Sequence, residues 1–376
     1  MILSYANIIH YTINQLSWKI DNNHIQRIVD RRSVDEFFVM GNYSISENAG
    51  SDFPTRNRSF SIENYDDYEF CFFIKQSKAF VKDNLVSILR ESLFYQVIKS
   101  TNTGLNDYLP KFYDFNITDA ILTLSFLKGT SNFADFRKKS PINETQNLKI
   151  VATAGTLLRK FHDTLRPFKN DFKKKAPIFF NVNPITIFDI DFDYLDFQEQ
   201  YYNNLEPIIK TLNKYEKEYS LKSIVIEAQK IWKNSDSTII HGDFKAANIL
   251  VHESNLESIY FIDWEYVIEG CPEYDLASFL YYELVVSKFE INTDILLQFT
   301  NLLLNYYQDD MKEDYAHRII ILFKARLIDY WVGSKLSKAI NPDDESNKVQ
   351  KLMQIFKLLK LENDVFVDNR IPENIT

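Results

Sequence analysis

Cysteine and glycine are the scarce residues of this 376-residue chain, with two of the first and eight of the second. Cys71 and Cys271 stand far apart and form no CxxC pair. That excludes a zinc module and a disulfide-framed scaffold, and it fits a reducing compartment. Long apolar runs are also missing, and none is long enough to span a bilayer. Positive charge is in deficit: 43 Lys and Arg against 52 Asp and Glu give a net charge of -9. This balance argues against non-specific nucleic-acid binding and favours a neutral or cationic partner. The apolar start, MILSYANIIHYTINQL, lacks the basic region and small-residue cleavage site of a signal peptide. Its Leu3, Ala6, Ile9, Ile13 and Leu16 recur at helical spacing, so it reads as an amphipathic helix able to seat a protein partner or a second copy. The expectation is a soluble cytoplasmic protein with no membrane or nucleic-acid partner.

Hydrophobic residues make up 45% of the chain and aromatics 15%, ample material for packed interiors. The length exceeds one ordinary core and predicts two lobes. NNHIQRIVDRR reads as a second helix, so residues 1–40 are expected to form a helical extension. SFSIEN and EFCFFIK read as strands joined by the polar turn YDDY. NLVSILRESLFYQVIKS has the apolar period of a helix. LPKFYDFNI and AILTLSFL read as further strands. Residues 41–127 are thus a small sheet with one helix, and LSFLKG, residues 124–129, is the connection onward. Over residues 128–376 the character changes. QNLKIVATAGTLLRKFHDTL predicts a long helix, residues 241–250 and SIYFIDW read as strand-like, and about 274 to 362 reads as successive helices. The fold class is α+β, a small β-rich lobe followed by a larger α-rich one.

The segment HGDFKAANIL, residues 241–250, sets an acid, a cation and an amide immediately before an apolar strand. Asn248 follows Asp243 by five positions, a loop short enough to turn both side chains toward one point. A second acid, Asp263, ends the apolar run of YFID. Phosphoryl transfer from ATP uses this order of acid, amide and strand-end acid. Mg2+ prefers hard oxygen ligands and keeps several waters, so Asn248 and Asp263 together with nucleotide phosphates suit it. Asp243 would accept the proton of an attacking hydroxyl. Such a site also needs a strand lysine for the phosphates and an acid on the next helix to hold that lysine. EFCFFIK ends in Lys75, and the helix after it contains a single acid, Glu91. Singly, these residues have plain structural readings as a turn, a strand-end cap and a solvated helix position. Their order and spacing carry the functional reading.

IIHGDFKAANILV, YFIDWEY and PEYDLASFL resemble the aminoglycoside phosphotransferase and choline kinase-like family. FFIKQ with RESLFYQVI resembles its strand lysine and helix glutamate, and AGTLLRKFHDT its long helix before the catalytic loop. The resemblance spreads over roughly residues 55 to 285 and implies a two-lobed protein kinase-like fold using ATP and Mg2+. By that resemblance Asp243 is the catalytic acid, Asn248 and Asp263 are the Mg2+ ligands, and Lys75 clamps the phosphates with Glu91 as its orienter. His241 braces the loop and Asp275 is a buried acid that holds it. The backbone of Ser125, Phe126 and Leu127 faces the adenine edge.

Two departures stand out. The phosphate-covering loop, SISENAGSDFPTRNRSF, has one glycine, Gly50, which with Ser51, Arg56 and Arg58 is the candidate phosphate contact. Lys245 occupies a position that resembles the γ-phosphate lysine of protein kinases, where it would stabilise charge on the transferred group. The acceptor is less legible. IFDIDFDYLDFQEQ interleaves Asp189, Asp191, Asp193, Asp196 and Glu199 with Phe188, Phe192, Tyr194 and Phe197, which suits a cation or, equally, an amphipathic surface segment. The main expectation is phosphoryl transfer to a hydroxyl of a small molecule. One alternative is a Ser/Thr kinase acting on a peptide in natural-product biosynthesis with a lyase, suggested by Lys245 and TRNRSFSIEN. Another is a non-catalytic pseudokinase scaffold, suggested by the glycine-poor loop.

Overall fold

The computed structural model describes residues 25–30, 34–41, 70–77, 82–101, 103–139, 144–180, 182–189, 217, 220–234, 236–283 and 313–330. The expected helix over residues 1–16 and the phosphate-covering loop with Gly50, Ser51, Arg56 and Arg58 lie outside them, as do the strand SFSIEN and the turn YDDY. The chain divides into two compact units, one of Met1–Ile150, Asp171–Pro177 and Ala247–Val267, the other of Val151–Asn170, Ile178–Ala246 and Ile268–Thr376.

The first unit is built on a five-stranded antiparallel sheet. Its strands are β1 (Ile25–Asp30), β2 (Val34–Gly41), β3 (Phe70–Ser77), β4 (Phe112–Asn116) and β5 (Ile121–Ser125), in the order β1-β2-β3-β5-β4. The helix expected in NNHIQRIVDRR is therefore corrected. Ile25–Asp30 is extended and pairs with β2 in register Ile25↔Val39. Its Ile and Val are β-branched, and pairing along β2 outweighs a helical reading of so short a segment. Strand β5, flanked by β3 and β4, is buried at every residue. Helix α1 (Lys82–Thr101) buries Glu91, Phe94, Tyr95 and Ile98, a stripe at helical spacing. Burying a side chain such as Phe94 contributes about 1.5–3 kcal/mol.

A second, three-stranded sheet completes this unit: β6 (Thr130–Asn132), β8 (Ile249–His252) and β9 (Asn255–Phe261), in the order β6-β8-β9. β8 and β9 form a tight hairpin with Ile249 opposite Phe261. Helix α2 (Phe133–Lys139) follows β6 directly. Helix α3 (Glu144–Leu165) matches the long helix expected there.

After helix α4 (Lys169–Lys175), the second unit contains helix α5 (Leu221–Asn234), the short pair β7 (Thr238–Ile240) and β10 (Ile268–Gly270), helix α6 (Glu273–Tyr281) and helix α7 (Glu313–Asp329). Helix α6 is buried along its whole length, and α7 packs on α5 and α6. Leu276, Ala277, Phe279 and Leu280 supply apolar packing around the helix, while buried Asp275 is held there by hydrogen bonds.

Candidate active site

Strand β3 delivers Lys75 to the interior of the first unit. Its Nζ donates to Glu91 Oε2 at 2.7 Å and to Asp263 Oδ1 at 2.8 Å, and lies 3.6 Å from Glu265 Oε2. Lys75 and Glu91 are almost fully buried, whereas Asp263 and Glu265 keep some exposure. Burial pushes the Glu91 carboxyl up to about 7, a rise that Lys75 opposes and the charges of Asp263 and Glu265 reinforce. One ammonium thus faces three carboxylates, an arrangement with room for further positive charge.

Asp263 stands two residues beyond β9, with φ 68° and ψ 52°. The strand expected to run to Asp263 stops at Phe261. Left-handed backbone is uncommon outside glycine, and Asp is among the residues that tolerate it. It opens a short turn, Trp264–Tyr266. Trp264 stacks on Phe94 with centroids 3.9 Å apart and planes 13° from parallel, and its Nε1 donates to Phe261 O. Phe94 lies one helical turn from Glu91, so this stack ties the turn carrying Asp263 to the helix carrying Glu91. Asn248 is buried, and its carbonyl accepts from Ile262 N at 3.0 Å, which sets it beside the residue preceding Asp263.

In the second unit, β7 leads into His241, Gly242 and Asp243. Fully buried Asp275, in the first turn of α6, takes both amides of that turn: Gly242 N donates to Oδ1 and His241 N to Oδ2, each at 2.8 Å. His162 Nε2 donates to the same Oδ2 at 3.0 Å, and Thr238 Oγ1 donates to the His162 carbonyl. Gly242 has φ 77°, a conformation that frees both amides to point at one carboxylate. The His241 ring accepts from Asp243 N at 3.3 Å. Asp243 is 6% exposed at the tip of this braced turn. Lys245 Nζ pairs with Asp243 Oδ2 and lies 4.7 Å from the centroid of the Tyr282 ring.

The connection after β5 is partly committed elsewhere. Ser125 N donates to Lys111 O at 2.8 Å, and Ser125 Oγ accepts from Lys111 N. Phe126 is buried, and the Leu127 carbonyl accepts from Thr130 Oγ1. Of the acidic and aromatic segment, Phe188 is a core residue packed on Trp232 at 5.7 Å. Asp191, Phe192, Asp193, Tyr194, Asp196, Phe197 and Glu199 lie outside the described residues. Sequence reasoning passed over Glu265, His162 and Arg326. Glu265 lay in view two residues past Asp263, and His162 lay within the quoted long helix. Arg326 on α7 carried no local signal.

The donor set suits Mg2+. Asn248 and Asp263 offer hard oxygen, with Glu265 close by, and Mg2+ takes few protein ligands and fills its shell with phosphates and water. Among the described residues no three His, Cys, Asp or Glu side chains form a ligand cluster. No helix among them is long and apolar enough to cross a membrane.

The profile of the phosphotransferase enzyme family (APH) matches residues 105–295, half of the chain. Lys75 and Glu91 precede the matched stretch, so their pairing is known from the geometry alone. No curated protein matches the sequence. Among solved structures, an amicoumacin kinase in complex with AMP-PNP and Ca2+ has TM-score 0.56 and 10% identity over 96% of this chain and 99% of that one. The GDP complex of an aminoglycoside 2'-phosphotransferase has TM-score 0.55 and 10% identity over 95% and 99%. An ethanolamine kinase of Plasmodium vivax has TM-score 0.52 and 14% identity over 94% and 90%. At these identities the likeness is one of fold, and the fold is the two-lobed kinase-like one.

Proposed function

The chain belongs to the phosphotransferase enzyme family, and from that premise we propose that it moves the γ-phosphoryl group of ATP, with Mg2+, to a hydroxyl of a small molecule. The observation that carries this reading is the buried contact of Lys75 with Glu91 and Asp263. A lysine held between a helix glutamate and a turn aspartate has no structural purpose that a well-packed hydrophobic residue would not serve as well. It has a clear one if nucleotide phosphates and a cation are to be bound there.

In this reading residues 41–127 carry the nucleotide-binding elements and residues 128–376 the catalytic and acceptor-binding ones. Lys75 neutralises the phosphates, and Glu91 fixes its orientation. The Phe126–Leu127 backbone faces the base. Asn248 and Asp263 would hold Mg2+, with Glu265 as a further oxygen donor. The ion, when bound, neutralises charge on the transferred group. Asp243 accepts the proton of the acceptor hydroxyl as its oxygen attacks phosphorus and the bond to the nucleotide breaks. His241, Asp275 and His162 keep Asp243 in one orientation before the acceptor arrives, so the turn does not reorganise at the moment of transfer. Lys245 now pairs with Asp243 and would turn to the γ-phosphate when nucleotide binds.

Full-length protein with labelled ATP, Mg2+ and a panel of hydroxyl compounds tests the proposal. Asp243→Asn should lower transfer by about 10²–10⁴-fold, the usual worth of a positioned general base. Titration should find its nucleotide affinity unchanged. Normal transfer by that variant would remove Asp243 from the mechanism.

A further inference from the structure

The second unit holds a cation whose surroundings the mechanism above does not explain. Arg326 on α7 is partly buried among three tyrosines. Its Cζ lies 5.1 Å from the Tyr274 ring centroid, 5.0 Å from Tyr281 and 5.6 Å from Tyr282. Its Nη1 donates to Tyr274 Oη. Among the described residues that is its one hydrogen bond, and no carboxylate lies within ion-pair distance of it. Asp329, one turn along α7, instead accepts from Ile187 N. Asp243 is near enough for its charge to act on the guanidinium but does not contact it. Tyr274 and Tyr281 stay neutral, since burial raises their hydroxyls.

Two physical points follow. A partly buried guanidinium is ordinarily matched by a carboxylate or phosphate, because aromatic faces engage its plane and leave its fork of N–H donors unused. The same tyrosine faces are what a quaternary ammonium would need, and they are already taken by Arg326 and, at Tyr282, by Lys245 as well.

We propose that Arg326 is an anion-binding residue of the acceptor site, so that the acceptor is a hydroxyl compound bearing a carboxylate or phosphate group and not a choline-like cation. This rests on the reading of Asp243 as the base, which places the acceptor next to this cluster. The anion would take the N–H donors of Arg326, and the hydroxyl would lie toward Asp243. The tyrosines serve as a rigid wall that holds the guanidinium in place.

The test uses four small probes that share a hydroxyl and differ in charge: glycerate, glycerol 3-phosphate, glycerol and choline. Binding to the full-length protein is measured by saturation-transfer NMR, and transfer by labelled Mg2+–ATP. Glycerate and glycerol 3-phosphate should bind about tenfold or more tightly than glycerol, the worth of a charge-assisted contact, with choline no better than glycerol. The comparison of the first two also tells carboxylate from phosphate. Arg326→Met should bring both anions to the level of glycerol. Arg326→Lys, which keeps the charge and is the safer variant for folding, should bind them several-fold more weakly than wild type. Choline binding more tightly than both anions, or anion affinity unchanged in both variants, would overturn the proposal. Choline phosphorylated in preference to the anions would leave the kinase standing and sink this inference. Arg326-dependent anion binding with no transfer to any probe would support anion recognition and count against the kinase reading.

Discussion

Replacing Lys75 with methionine tests how the charges around it are balanced. The side chain is 4% exposed and lies within 2.8 Å of two acids, Glu91 and Asp263, with Glu265 at 3.6 Å. Removing one partner of a buried pair ordinarily costs about 3–5 kcal/mol. Here Glu91 has an escape. Burial already holds its carboxyl near 7 with the cation present, so without it the group takes up a proton at neutral pH and above. Asp263 and Glu265 are partly exposed and keep water. The sign follows from linkage: a carboxyl whose folded value lies above its ordinary 4.5 binds protons more strongly in the native state. Its contribution to stability is complete below 4.5 and is lost as pH rises through the folded value. In the wild type that loss ends near pH 7. In Lys75→Met it continues, at about 1.4 kcal/mol per pH unit. The variant should therefore be about 1–2 kcal/mol less stable than wild type at pH ~6, and about 2 kcal/mol worse again at pH ~8.5. Urea midpoints followed by circular dichroism at both pH values measure this. Adding Glu91→Gln should remove the extra pH dependence. An equal loss at both pH values, or a double variant as pH-sensitive as the single, would refute the reasoning.

Three further outcomes can be checked with the same protein. Asp263→Asn should weaken Mg2+–ATP binding in titration calorimetry while folding like wild type, whereas Asp263→Ala should add about 1–2 kcal/mol of backbone strain at its left-handed position, visible as a lower melting temperature. Asp275→Ala removes the acceptor for two loop amides and for His162; it should cost at least about 3 kcal/mol and lower transfer, measured by denaturation and by assay. Lys245→Ala should lower turnover far more than nucleotide affinity, and equal loss in both would argue against a contact with the transferred phosphate.

Much of the candidate site could be proposed from the chain because its residues sit at fixed short spacings. Asp243 and Asn248 share one loop, and Asp263 closes the hairpin β8–β9, so local sequence announces them. Glu91 needed one further step, since only its being the sole acid of residues 84–100, after a strand lysine, singled it out. Residues that act through tertiary packing left no such trace. Arg326 is an ordinary cation on an amphipathic helix until α7 packs against the tyrosines of α6. His162 gains its meaning from Asp275, more than a hundred residues away. The misread segment, Ile25–Asp30, shows the same limit from the other side: six residues carry too little periodicity to tell helix from strand, and pairing with β2 decides.

The β6-β8-β9 sheet has a consequence for biosynthesis. Strand β6 ends at Asn132, yet its partner begins only at Ile249 and is closed by β9 at Phe261. At about 5–20 residues per second, the ribosome holds the early half of the polypeptide with that edge unpaired for roughly 6 to 25 s. A truncated product ending near residue 150 would keep the edge bare indefinitely and would lack Trp264 against Phe94 as well, which makes the nascent chain a natural client for chaperones and a poor candidate for expression as a fragment.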